Sequence, residues 1–139
     1  MSIDIVCQIA AGDLDAAIVH RDEDFIAFLD HRPVFKGHVL ISPVQHVDTM
    51  LDLPCALMVP LLTLAQRVAV AQAHAFDAQG SFVAINNVVS QSIPHLHMHV
   101  VPRNRGDGLR GFFWPRTRYE EGEMQDYARK LQEQLHDHL

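Results

Sequence analysis

The hydrophobic pattern along the chain changes period several times, and each change marks a predicted element. "AAIVHRD" (16–22) and "DFIAFLD" (24–30) are β-branched and aromatic runs on either side of an acidic turn, which predicts a β-hairpin. "HVLISP" (38–43) predicts a third strand closed by Pro43. "SFVAIN" (81–86) and "HLHMHVVP" (95–102) predict a fourth and a fifth. Between the third and the fourth the period lengthens. Leu57, Met58, Leu61, Leu62, Ala65, Val68, Ala69 and Gln72 share one face of a helix that opens at Pro54 and runs to about Phe76. Pro60 interrupts that pattern and predicts a short first turn before the main helix. "DIVCQIAAGD" (4–13) predicts a short helical or irregular start closed near Gly12, and "RPVFKGH" (32–38) a loop. The tail from 120 to 139 predicts a C-terminal helix with Met124, Tyr127, Leu131 and Leu135 on one face. Antiparallel strands with one long helix inserted predict an α+β domain.

Composition narrows the class. The 139 residues favour one domain, and 48% hydrophobic with 20% charged residues suits a soluble core-forming protein. A net charge of −6 argues against a nucleic acid polymer as main partner, while a small anion held by local groups stays open. Cys7 and Cys55 are too few for a disulfide framework. The first residues lack a basic start and contain acids, and no apolar run is expected to be long and clean enough to cross a bilayer. The expectation is therefore no membrane and a cytoplasmic protein. Ten histidines are the unusual feature.

Three of them stand at alternate positions in "SIPHLHMHVVPR" (92–103). On a strand, residues two apart face the same way. His95, His97 and His99 then share a face, with Leu96, Met98 and Val100 on the core side. Successive imidazoles would sit about 6.6–6.8 Å apart at Cα, and the outer two about 13 Å. That is too far for one metal to take all three at about 2.0–2.1 Å. The rhythm suits a row of groups along an extended ligand.

"HLHMHVV" matches His-φ-His-φ-His-φ-φ, and on it the chain resembles the histidine triad (HIT) superfamily of nucleotide hydrolases and transferases. The resemblance extends over roughly residues 4–106. It includes "FIAFLDHRPVFKGHVLISPVQH", similar to the family's nucleoside-holding segment, and "NN" followed by "SQSIPHLHMHV", similar to its phosphate-binding run. It implies a five-stranded antiparallel sheet with one long helix, usually in a homodimer. The whole chain is then a single HIT domain, 1–139, with a divergent extension from about 107. "LRGFFWPRTRY", with Arg110, Arg116, Arg118 and the only tryptophan, belongs to that extension, as a packed loop, a dimer contact or a shaper of the leaving-group side.

The resemblance also implies an activity: attack on the α-phosphate of a purine nucleotide conjugate, giving a nucleotidyl-histidine that water cleaves, with no cofactor required. His97 would be the nucleophile, suited to it because imidazole is largely neutral near pH 7. His99 would bind the α-phosphate and leaving-group side, and His95 completes the triad. Ser92, Ser90 and Gln91 would lie at the phosphates. Position 90 is usually glycine in the family, so Ser90 is a departure. Asn86 matches the family's asparagine near the phosphates, with a plain turn as the alternative. Asp30 would accept from the ribose hydroxyls, and Phe28, Leu29 and His31 would line the base pocket.

Many bacterial members bind a structural zinc, and Cys7, His46 and His95 fall at matching places. Asp4 replaces the first cysteine, giving the mixed set Asp4, Cys7, His46 and His95. The alternative is an inert thiol and unrelated histidines. The leading expectation is an AMP phosphoramidate-like hydrolase. A dinucleoside polyphosphate hydrolase, a nucleotide-binding module without turnover, and a zinc protein without catalysis remain as alternatives.

Overall fold

The computed structural model of the chain describes residues 4–110 and 115–137, so Trp114 lies outside the described residues. Residues 1–107 and 108–139 form separate compact units.

In the first unit, helix α1 (Ile5–Ala11) is closed by Gly12 in the left-handed region, at φ 83°. Strands β1 (Ile18–Arg21) and β2 (Phe25–Leu29) form the expected hairpin. Its turn is held by the Asp22 carboxylate, which accepts from Asp24 N and Phe25 N, both at 2.8 Å. Strand β3 (Val39–Pro43), helix α2 (Cys55–Phe76), β4 (Gly80–Ile85) and β5 (Met98–Arg103) follow. The sheet order is β1-β2-β3-β5-β4, with every pair antiparallel. Sheet, long helix and strand count agree with expectation.

The middle strands are buried on both faces. Phe25, Ala27, Ile41, Met98 and Val100 meet Leu61, Leu64, Ala65 and Val68 of α2 on one side. Ile26, Phe28 and Leu40 meet Val6 and Ile9 of α1 on the other. Each large apolar side chain so buried contributes about 1.5–3 kcal/mol. Register carries this alternation across the sheet: Phe28 pairs with Leu40, Leu40 with His99, and His99 with Ala84. Phe28, Leu40 and His99 therefore share the α1 face, and His38 and Asp30, two residues from Leu40 and Phe28, follow them.

Two expectations need correction. Pro60 does not divide the helix: α2 is continuous from Cys55 to Phe76. Lying in the second turn, Pro60 removes only the bond to the Ala56 carbonyl. In addition, α2 is by length and composition apolar enough to cross a membrane, contrary to the sequence reading. Here it lies along the sheet with Leu61, Leu64, Ala65, Val68 and Gln72 buried. The amide of Gln72 donates to both Gly37 O and Val100 O at 2.9 Å, tying the loop before β3 to β5. Gly37 has φ +96°, and a Cβ there would lie 2.5 Å from the Phe76 ring.

In the second unit, α3 (Glu123–Asp137) is the expected C-terminal helix. Arg129 pairs within it to Asp126 and Glu133, and the Tyr119 and Tyr127 rings meet edge to face.

Candidate active site and metal centre

The α1 face of the sheet carries a cavity of about 820 Å³, a volume suited to a nucleotide-sized ligand. His97, His99, Ser92 and Asp30 line it together with Phe28, Leu29 and His31. Ile5, Ile9 and Leu14 supply the wall from α1 and the turn after it. Asn86, Ser90 and Gln91 are not part of that lining. The amide of Gln91 is engaged within the loop: Oε1 accepts from Val88 N at 3.0 Å and Nε2 donates to Asp48 O at 2.6 Å. Ser90 (φ 62°) and Val88 (φ 69°) both hold left-handed backbone. For a β-branched residue this is a strained conformation, of the kind that collects at functional sites. It also explains why glycine suits position 90.

The three histidines are not one row. Only His99 lies inside β5; His97 stands just before it, and His95 closes the bend that precedes, its N–H donating to Ile93 O at 2.8 Å. Leu96, Met98 and Val100 face the core as expected. His97 and His99 turn into the cavity, with ring centroids 5.2 Å apart. His95 is fully buried and turns toward Cys7 and His46 instead.

Hydrogen bonds assign the tautomers. His97 Nδ1 is 2.8 Å from the His95 carbonyl, which can only accept. The proton therefore sits on Nδ1, and Nε2 keeps its lone pair. Val34 N–H donates to His38 Nδ1 at 3.2 Å, so the His38 proton is on Nε2. That Nε2 is 3.0 Å from His99 Nδ1, which must accept, leaving the His99 proton on Nε2. Burial, reinforced by the neighbouring His97 and His38, pushes the His99 pKa down to about 4, although Asp30 opposes this. His38 is also lowered by burial against the pull of Asp30. His99 is thus a neutral Nε2–H donor at pH 7. Asp30 Oδ1 accepts from Arg32 N at 2.9 Å, and Oδ2 is 3.8 Å from His38 Nδ1.

His38 did not stand out in the sequence. Its single signal is parity with Leu40, and that matters only once the register places Leu40 beside His99.

The expected metal-binding set is assembled. Asp4 Oδ2 is 2.9 Å from His46 Nδ1 and 3.2 Å from His95 Nδ1. Cys7 Sγ is 3.5 Å from Asp4 Oδ2, 3.6 Å from His46 Nδ1 and 3.5 Å from His95 Nδ1. A tetrahedral zinc with bonds of about 2.0–2.1 Å to N and O and about 2.3 Å to S separates its ligands by about 3.3–3.6 Å. The four atoms fit that frame with little adjustment. Both imidazoles present Nδ1 because Nε2 is engaged behind: His95 Nε2 donates to Pro43 O at 2.8 Å, and His46 Nε2 to Asp48 Oδ1 at 2.6 Å. Ligating histidines are commonly held this way by an acceptor behind the ring.

Known proteins share this fold. The family model described as the HIT domain matches residues 11–106. A crystal structure of a HIT family member from Bacillus subtilis superposes with TM-score 0.85 at 30% identity, over 95% of this chain and 96% of that one. The Zn-bound histidine triad family protein of Mycobacterium smegmatis does so with TM-score 0.73 at 32% identity, over 97% and 96%. Two relatives from Schizosaccharomyces pombe carry named activities. Adenosine 5'-monophosphoramidase hnt1 is 29% identical over 80% of this chain and 82% of its own. The asymmetrical bis(5'-nucleosyl)-tetraphosphatase is 30% identical over 65% and 50%. With its sheet, its triad and the family model in agreement, the chain belongs to the histidine triad, or HIT-domain, family.

Proposed function

We propose that the protein hydrolyses a purine nucleotide conjugate of the AMP phosphoramidate kind at its α-phosphate, through a nucleotidyl intermediate on His97. The observation that carries this is the His97 tautomer. The His95 carbonyl holds Nδ1–H at 2.8 Å, so an unprotonated Nε2 stands in a cavity lined by Ser92, His99 and Asp30. No separate base is then needed.

In the first step the Nε2 lone pair forms a bond to phosphorus and the bond to the leaving amine or oxygen breaks. The positive charge that develops on the ring is spread toward the His95 carbonyl through Nδ1–H. His99 Nε2–H donates a hydrogen bond to a phosphate or leaving-group oxygen or nitrogen and keeps its proton, and the leaving group departs with a proton taken from solvent. In the second step water attacks phosphorus and gives up a proton to solvent, the N–P bond breaks with its electron pair returning to Nε2, and AMP leaves with His97 restored as the neutral Nδ1–H tautomer. Asp30 accepts from the ribose hydroxyls, while Phe28 and the α1 wall take the base. Residues 4–107 carry this chemistry, and the segment from about 108 is an extension of it.

Asp4, Cys7, His46 and His95 would hold a zinc ion that ties the amino end to the sheet and takes no part in the reaction. The M. smegmatis relative supports this reading. A homodimer is supported by what α2 leaves uncovered: Met58, Val59, Leu62 and Val70 are exposed, next to the edge strand β4 with exposed Val83. The free thiols of Cys7 and Cys55 suit a reducing compartment, and we place the protein in the cytoplasm.

The test is a panel of AMP–amine conjugates and dinucleoside polyphosphates read by AMP release. Faster release from the amine conjugates supports the proposal. Faster release from the polyphosphates transfers it to the other branch. Nucleotide binding without release from either makes the protein a binding module.

A further inference from the structure

Helix α1 has only seven residues, far too few to be stable alone. Its two ends are held from outside. At the carboxyl end, Arg21 donates to Ala10 O at 2.8 Å and to Ile9 O at 3.1 Å. At the amino end both oxygens of one carboxylate are used: Asp4 Oδ1 accepts from Cys7 N at 2.8 Å as the N-cap. Asp4 Oδ2 faces His46, His95 and Cys7 at the metal set. Ile5 follows Asp4 directly and lines the cavity that holds His97 and His99, as does Ile9 one turn later.

We propose that Asp4 is a positioning residue for the nucleotide pocket: by capping α1 and ligating the metal with the same carboxylate, it makes metal occupancy set the position of the Ile5–Ile9 wall. The proposal rests on reading the cavity as a nucleotide site. The physical reason is that a helix this short takes its position from its anchors. The cap fixes the first turn to Asp4 and Val6 and Ile9 pack the helix on the sheet, while a metal would bind Asp4, Cys7, His46 and His95 into one cluster and so tighten the anchor at the amino end. The aspartate thus does what a cysteine ligand would do less well, since a carboxylate has one oxygen for each task. Binding is reciprocal: if metal tightens nucleotide binding, nucleotide tightens metal binding by the same factor.

Asparagine separates the two tasks, because it caps as well as aspartate but is a poor metal ligand. The full-length wild type, Asp4→Asn and Asp4→Cys are compared with zinc added and with chelator. The readouts are AMP affinity by calorimetry and amide hydrogen exchange. In wild type, zinc should protect the α1 amides and tighten AMP by at least about fivefold. The β3 and β5 amides should be unchanged, which separates wall positioning from global stability. Asp4→Asn should match chelated wild type with or without zinc, and Asp4→Cys, which ligates but caps poorly, should recover only part of the response. AMP affinity and α1 exchange that ignore zinc in wild type would overturn the proposal. Zinc-dependent α1 protection with no AMP bound by any form would uphold the positioning of the wall and overturn the nucleotide reading instead.

Discussion

His38 Nε2 lies 3.0 Å from His99 Nδ1, joining two imidazoles that are 61 positions apart in sequence. With Val34 N–H on the other His38 nitrogen, the pair has one allowed proton arrangement, and it ends with a proton on His99 Nε2. Replacing His38 by Phe removes the donor and lets His99 take the other tautomer. The expected result is a fall in turnover of about 10²-fold or more with little change in AMP affinity. His38→Gln, which can still donate, should recover part of it. Single-turnover rates beside calorimetric affinities check this, and equal loss in the Phe and Gln variants would contradict it.

His99 also sets a pH dependence of stability. Its folded pKa of about 4 lies below the ordinary 6.5, so between those values the unfolded chain binds more protons. Stability from this group is complete above about pH 6.5 and is lost as pH falls through about 4. His38, lowered in the same direction, adds to it. Denaturant midpoints measured from pH 7 to pH 4 should fall, and His99→Asn should flatten the fall. An unchanged slope in the variant would contradict the assignment.

Leu62 is 63% exposed on α2 and sits in the groove that α2 forms with β4. Leu62→Glu should leave folding intact and break the homodimer. Sedimentation at micromolar concentration should give a dimer for wild type and a 15.7 kDa monomer for the variant. A wild-type monomer would end the dimer proposal.

Asp30→Ala should weaken ribonucleotide binding and bring the ribo/deoxyribo affinity ratio toward one. A site built to bind a hydroxyl loses discrimination when its partner is removed. An unaltered ratio would remove Asp30 from the ribose.

The strands were legible because alternation is a local signal: Leu96, Met98 and Val100 had to face the core, and they do. The grouping of Asp4, Cys7, His46 and His95 was expected by resemblance, and the structure brings the four side chains together. What was hidden depends on partners far away in sequence. His38 reads as the start of a strand until register sets it beside His99. His95 reads as the first of a row until its backbone turns it toward Cys7. Nothing in the sequence near Gln91 signals that its amide bridges Val88 and Asp48. Pro60 reads as a break, but only tertiary packing of α2 on the sheet decides whether the loss of one hydrogen bond matters.

The central claim is that His97 Nε2 forms the covalent bond to phosphorus. Rapid quench with substrate labelled in the α-phosphate tests it most directly. Wild type should carry acid-labile, base-stable label that maps to His97, and His97→Ala should carry none while still binding AMP. His99→Ala should slow formation or breakdown of the adduct without moving it. Label on any other residue, or full turnover by His97→Ala, would contradict the mechanism.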